Sequence, residues 1–343
     1  MKEGLIAWAY ILAWKLIRAL PEPLAYSLFD KGARWLVKRN GKSVKRLRSN
    51  LARVKPGISQ AELQFLLENA FASYMRYWCD TFRFPNWDKD RINSTVTVTR
   101  ENLLLDAIKS GKGVIVSLPH AGNWDHAGAY FCLKGIHLVT VAERLKPERL
   151  FVEFLHYRQA MGMEVLALDS RSIATLAQRL REGHLVALVA DRDLSKSGID
   201  VQFFNHPARM PAGPAVLAIK TSAVLLTAFV NYTKRGIHIT FDEIEVPNNG
   251  TQEERVSYLV QKSIDELAQR QLDRKEHEQL RRCMESLLAC QHLLHNQEVC
   301  FHLWQVPELI CHDQLQSNTP LNHEHGFARL PVYPIHTDTR FRL

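Results

Sequence analysis

His120 and Asp125 stand five positions apart in Leu118-Pro119-His120-Ala121-Gly122-Asn123-Trp124-Asp125, directly after an apolar run that reads as a buried strand. A histidine there can take a proton from an alcohol, and a carboxylate nearby can stabilise the charge the imidazole gains. On a regular helix, five residues turn through roughly 500°, which would separate the two side chains by about 140°. His120 must therefore precede the helix, with Asp125 in its first turn, for the pair to meet. Gly122 eases such a turn. Asp125 also suits a plain helix-dipole role, which is compatible with catalysis. A third group of this chemistry is Asp191, in Val189-Ala190-Asp191-Arg192-Asp193, just past another apolar run.

The elements around these residues explain why they belong together. Residues 113–118, 136–142, 163–168 and 184–190 are short continuous apolar strands. They alternate with helices expected over 124–134, 147–161 and 172–182. That rhythm predicts a single α/β domain, with a mainly parallel or mixed central sheet flanked by helices. In such sheets, ligands bind beyond the carboxyl ends of the strands. His120 and Asp191 would then share one rim, whether or not their strands are neighbours. Ser59 and Glu62 form a capping box that opens a helix running to about Asp80. Leu63, Leu66, Leu67, Ala70, Phe71, Tyr74 and Trp78 recur along it at core spacing. A helix is expected near Pro211, strands over 223–230 and 237–246, and a last helix from Gln252 to about Gln271.

The chain has 343 residues and a net charge of +8, unevenly distributed. Residues 1–55 carry thirteen Lys/Arg against three acids, and the span from Lys31 to Lys55 has ten basic residues and no acid. Ahead of that span, Gly4 to Trp14 is apolar and includes Trp8, Tyr10 and Trp14. It is too short to span a bilayer, which takes roughly 20 apolar residues, and no small-residue cleavage site for a signal peptide follows. An aromatic, apolar helix beside a polybasic stretch suits an anionic membrane surface. The competing reading is a helix packed on its own domain. Nucleic acid is not the expected partner, because Trp35 is the sole aromatic within residues 31–55.

Three parts follow: a basic, apolar N-terminal piece over 1–55, an α/β core over 56–272, and a tail over 273–343. The stretch from about Arg274 holds eight of the fifteen histidines and four of the six cysteines. Cys283, Cys290, His292, His295, Cys300, His302, Cys311 and His312 match no spaced metal module, so a disordered or loosely helical tail is expected in preference to a metal site.

Taken with Arg48 to Val54, Val141 to Leu145, Ala190 to Leu194 and Arg209 to Ala215, the His120-x4-Asp125 segment resembles the bacterial lipid A lauroyl/myristoyl-type acyltransferases. Within that family, the similarity is to actinobacterial phosphatidylinositol mannoside acyltransferases, over roughly residues 5–270. The resemblance implies His120 as general base and Asp125 as the acid of the HX4D motif. Arg158 matches an arginine that pairs with that acid. Asp191 matches a second acid that orients the histidine; between Asp125 and Asp191, the latter is favoured, with Asp193 as an outside candidate. Gly122, Asn123, Trp124, Glu143, Arg144, Arg192 and Arg209 complete the expected substrate-binding set, with the amides around Gly122 and Asn123 as oxyanion donors. Arg209, ahead of the helix expected at Pro211, suits a phosphate. No cofactor or metal is implied; acyl-CoA is the co-substrate and an anionic glycolipid the acceptor. The implied location is peripheral, on the cytoplasmic face of the plasma membrane. Family members close with a Pro-x-Asp/Glu-Trp segment, and the stretch after Leu272 departs from it.

Overall fold

Prolines 21 and 23 both end one helix and begin another. The computed structural model of the protein describes residues 2–272 apart from 145, 146, 170 and 194–197. In it, helix α1 (Lys2–Ala19) stops before Pro21, which sits at the N-cap of α2 (Glu22–Arg39), with Pro23 in the first turn. Proline suits that place, because first-turn amides lack intrahelical partners anyway. The basic run continues into α3 (Lys42–Val54). Ala33, Val37, Val44, Leu47 and Leu51 recur at three- and four-residue spacing, and they bury against Leu63, Leu67 and Phe71 of α4 (Gln60–Arg83). The Lys/Arg density of residues 31–55 is thus one side of two packed helices. Ser59 caps α4 by accepting from the Glu62 amide. The short helix α5 (Lys89–Ser94) then leads into the sheet.

The remaining elements are β1 (Val96–Thr99), α6 (Glu101–Lys109), β2 (Val114–Leu118), α7 (Trp124–Leu133), β3 (Leu138–Ala142), α8 (Glu148–Ala160), β4 (Glu164–Ala167), α9 (Ser172–Arg181) and β5 (Leu185–Val189), then β6 (Ile199–Phe203), β7 (His206–Met210), α10 (Gly213–Thr221), β8 (Val224–Tyr232), β9 (Ile237–Ile244) and α11 (Gln252–Leu272). Seven strands form one sheet in the order β1-β9-β8-β2-β5-β3-β4, and β6 and β7 form a separate hairpin. Within the large sheet, only the β8–β9 pair is antiparallel. The expected mixed α/β domain is what forms.

β2 occupies the centre of the sheet, and all five of its residues are buried. Its neighbour β5 runs parallel, with Leu118 opposite Val189. The two catalytic-rim candidates therefore leave adjacent strands at the same level. Among the described residues, no helix is long and apolar enough to cross a membrane. The tail from 273 onward, with its cysteines and histidines, lies outside the described residues, as do Leu145 and Leu194 of the family-like motifs.

Candidate active site

Asp191 holds His120 at two points. One carboxylate oxygen accepts from the His120 backbone amide at 2.8 Å, and the other lies 2.6 Å from the ring Nδ1. Asp191 is 3 % exposed, and His120 is partly open to solvent. A carboxylate gripping both main chain and ring fixes the loop and the imidazole together. With Nδ1 directed at the carboxylate, Nε2 is the nitrogen turned away from Asp191.

Asp125 turns elsewhere. It lies in the first turn of α7, as its position after His120 requires, but its carboxylate meets Arg158 Nε at 2.8 Å and accepts from the Tyr77 hydroxyl at 2.9 Å. Asp125 is 2 % exposed, so this ion pair ties α7 to α8 and α4 inside the protein. Burial alone would lower the Arg158 guanidinium's pKa, and the charge and hydrogen bond of Asp125, together with Tyr77 and Tyr157, outweigh it and raise it. Burial, then the neighbouring Asp125 charge, pushes the Tyr77 phenol well above its usual range. The acid on the imidazole is Asp191, and the acid of the five-residue spacing secures the helix.

The loop between them is built by Gly122 and Asn123. Gly122 has φ +59°, and a Cβ there would stand 2.5 Å from the Val230 carbonyl oxygen on β8. Asn123 is fully buried and caps α7 by accepting from the His126 amide at 2.9 Å. Its side-chain amide donates to Asp80 at 3.3 Å, and Asp80 also accepts from Tyr26 of α2. Burial raises the Asp80 carboxyl, against the pull of Arg76, Tyr26 and Asn123. Of the loop amides, those of His120 and Ala121 already donate, to Asp191 and to the Pro119 carbonyl.

Trp124 joins the site to the interior. Its ring stands edge-on to His120 with centroids 5.1 Å apart and stacks on Tyr77 at 4.2 Å. It also lines an apolar cavity that is partly open to solvent. Val116 and Leu118 of β2, Ala187 and Val189 of β5, and Phe131 of α7 form much of its wall.

The remaining expected residues divide. Glu143 follows β3 and meets Arg192, next to Asp191, at 3.6 Å, so both share the rim with His120. Arg144 instead forms an exposed pair with Glu148 at 2.8 Å. Arg209 precedes α10, as expected, but stands on a strand. It lies within β7, opposite Asp200, and α10 begins only at Gly213. Its guanidinium donates to the Gly198 carbonyl and stands 3.8 Å and 3.9 Å from Asp193 and Asp200.

Tyr77 and Asp80 escaped the sequence reading, though both fall on the helix that Ser59 caps. The buried stripe of α4 runs through Tyr77 and Asp80, and Tyr74 and Trp78 are only partly covered. Their i, i+3 spacing places both on the helix's buried side, and that was the available signal. Among the described residues, no three His, Cys, Asp or Glu gather as a metal site.

Residues 1–278 match the bacterial lipid A biosynthesis acyltransferase family, and the chain belongs to it. The protein is an acyltransferase. It is similar to the phosphatidylinositol mannoside acyltransferase of Mycolicibacterium smegmatis, 42 % identical over 221 residues, covering 63 % of this chain and 71 % of that protein. It is also similar to the protein of the same name from Mycobacterium tuberculosis H37Rv, 40 % identical over 234 residues, covering 67 % and 73 %.

Proposed function

We propose that the protein transfers a fatty acyl chain from acyl-CoA to a mannose hydroxyl of a phosphatidylinositol mannoside, working peripherally at the cytoplasmic face of the plasma membrane. The observation that carries the chemistry is the two-point hold of Asp191 on His120. Nε2 of His120 takes the proton of the sugar hydroxyl. The oxygen bonds to the thioester carbonyl carbon, the carbon–sulfur bond of the tetrahedral intermediate breaks, and the thiolate leaves with the proton from the imidazolium. Asp191 stabilises the imidazolium formed between these steps. Backbone amides around Gly122 and Asn123 serve the oxyanion, an effect of about 3–4 kcal/mol when donors are well aimed. The apolar cavity lined by Trp124 suits the alkyl chain, since a chain bound there leaves its carbonyl beside His120.

The acceptor follows from the names of the similar proteins. Support for the membrane comes from α1 and α2. Trp8, Leu12 and Leu16 lie at four-residue spacing on α1 and are 55 %, 39 % and 59 % exposed, while Leu24 and Leu28 are exposed on α2. Trp14, on another side of α1, donates to the Phe82 carbonyl and packs on Phe82 and Phe154, leaving the apolar row outward. Glu143 and Arg192 stand on the rim where an anionic headgroup would arrive.

The test is transfer from labelled acyl-CoA to defined glycolipids in vesicles, with products identified by mass spectrometry. Acylated phosphatidylinositol mannoside is expected. Acylation of a lipid A precursor in its place would reassign the acceptor, and transfer from an acyl carrier protein but not from acyl-CoA would reassign the donor.

A further inference from the structure

We infer that Met163 closes the inner end of the acyl cavity and sets the length of chain the enzyme transfers. This rests on the proposed use of that cavity for the acyl chain. The strand register gives the cavity its direction. On β5, Leu185, Ala187 and Val189 all line it, and Val189 pairs with Leu118, two residues before His120. Leu185 is therefore the far end, about 13 Å inward at ~3.3 Å per residue. Leu185 is opposite Leu138 of β3, and Val139 is opposite Glu164, the residue after Met163. Leu138, Met163 and Leu185 thus stand at one level and all line the cavity.

Helix α7 runs back along the cavity from Trp124, at the His120 end, through Gly128 to Phe131. Gly128 is where it meets the floor. A Cβ on Gly128 would lie 2.4 Å from Met163 Cε and 3.6 Å from Leu138 Cδ1. The methionine tip occupies the space that a side chain at 128 would fill. Met163 is 5 % exposed, and its unbranched, flexible chain is the floor group whose volume and position can change with least disturbance to the sheet. A chain longer than the cavity must displace that tip, while a shorter one leaves it unfilled. One methylene in a hydrophobic pocket discriminates by about tenfold or more.

The experiment measures kcat/KM of the full-length protein and two variants for lauroyl-, myristoyl-, palmitoyl-, stearoyl- and arachidoyl-CoA. Met163→Ala deepens the floor, and the optimum is expected to move to a longer chain, with the ratio of longer to original donor rising about tenfold. Gly128→Ala forces the methionine tip into the cavity and is expected to move the optimum to a shorter chain. The opposite signs keep the test decisive if one variant fails to fold, which circular dichroism reports. A wild-type enzyme with a clear optimum and folded variants that share it overturn the role of Met163. A wild-type enzyme that transfers none of these chains, whether from coenzyme A or from acyl carrier protein, overturns the reading of the cavity on which the inference stands.

Discussion

Replacing Arg158 with methionine is the sharpest structural test, because it strands Asp125. Asp125 is 2 % exposed and receives three contacts: two from the Arg158 guanidinium, at 2.8 Å and 3.5 Å, and one from Tyr77 at 2.9 Å. Arg158→Met removes the first two and leaves a buried carboxylate with a single hydrogen bond. Breaking a buried pair from one side costs about 3–5 kcal/mol. At a urea slope of about 2.5 kcal/mol per M, the unfolding midpoint falls by about 1.5 M. Adding Asp125→Asn removes the stranded charge, and its amide oxygen still accepts from Tyr77. The double variant is expected within about 2 kcal/mol of the wild type, giving a coupling well above additivity. It should also retain transfer to within about tenfold, since neither group touches the His120 ring. Urea unfolding of the four proteins and a transfer assay read both quantities. An Arg158→Met variant as stable as the wild type, or a double variant losing the sum of the singles, refutes the assignment of this pair as a staple. A folded double variant without transfer gives Asp125 a chemical role.

Three further outcomes are expected. Gly122→Ala must adopt φ near +59° and put its Cβ 2.5 Å from a backbone oxygen of β8, so it should lose more than about 2 kcal/mol and about 10²-fold in kcat; unchanged unfolding and turnover would contradict the close approach. Burial lowers the His126 pKa to about 4 from 6.5; the unfolded chain then binds the proton first, so as pH falls from 6.5 to 4 the wild type should lose about 3 kcal/mol. His126→Gln should flatten that window in urea titrations, and an unflattened one would place the acid sensitivity elsewhere. Trp8→Ser with Leu16→Ser should weaken binding to anionic vesicles at least about tenfold without moving the thermal midpoint, since both side chains are more than half exposed; equal vesicle binding would remove α1 from the membrane contact.

The parts legible in the sequence were those with one dominant period. The continuous apolar runs of β2, β3, β4 and β5 and the helices between them lie within two residues of their expected bounds. α4 starts where its cap, written in Ser59 and Glu62, places it, and runs three residues beyond the expected end at Asp80. α2 and α3 were hidden because their apolar stripe is diluted by Lys and Arg, and the charge density drew the reading toward a surface segment. The β6–β7 hairpin was missed because its tight turn is Phe204-Asn205, both at positive φ, a place usually marked by Asn-Gly. That omission also hid the strand on which Arg209 lies. At the site, strand-end logic identified His120 and Asp191 without their adjacency, which depends on sheet order. The Asp125–Arg158 pair came from the family pattern. Tyr77 and Asp80 are more than forty positions from Asp125 and Asn123, and local pattern carries no such contact.

In the proposed mechanism, Asp191 fixes His120 as the base through its two-point hold. Asp191→Asn tests it most directly, because asparagine keeps the shape and changes the proton. With its oxygen accepting from the His120 amide, its NH2 would face Nδ1 and turn the imidazole to the Nε2–H tautomer, which cannot take a proton from the acceptor. Expected is a fall in kcat of about 10²–10⁴-fold, matched by His120→Ala, with an unchanged circular dichroism spectrum. An Asp191→Asn enzyme within about tenfold of the wild type would contradict the account.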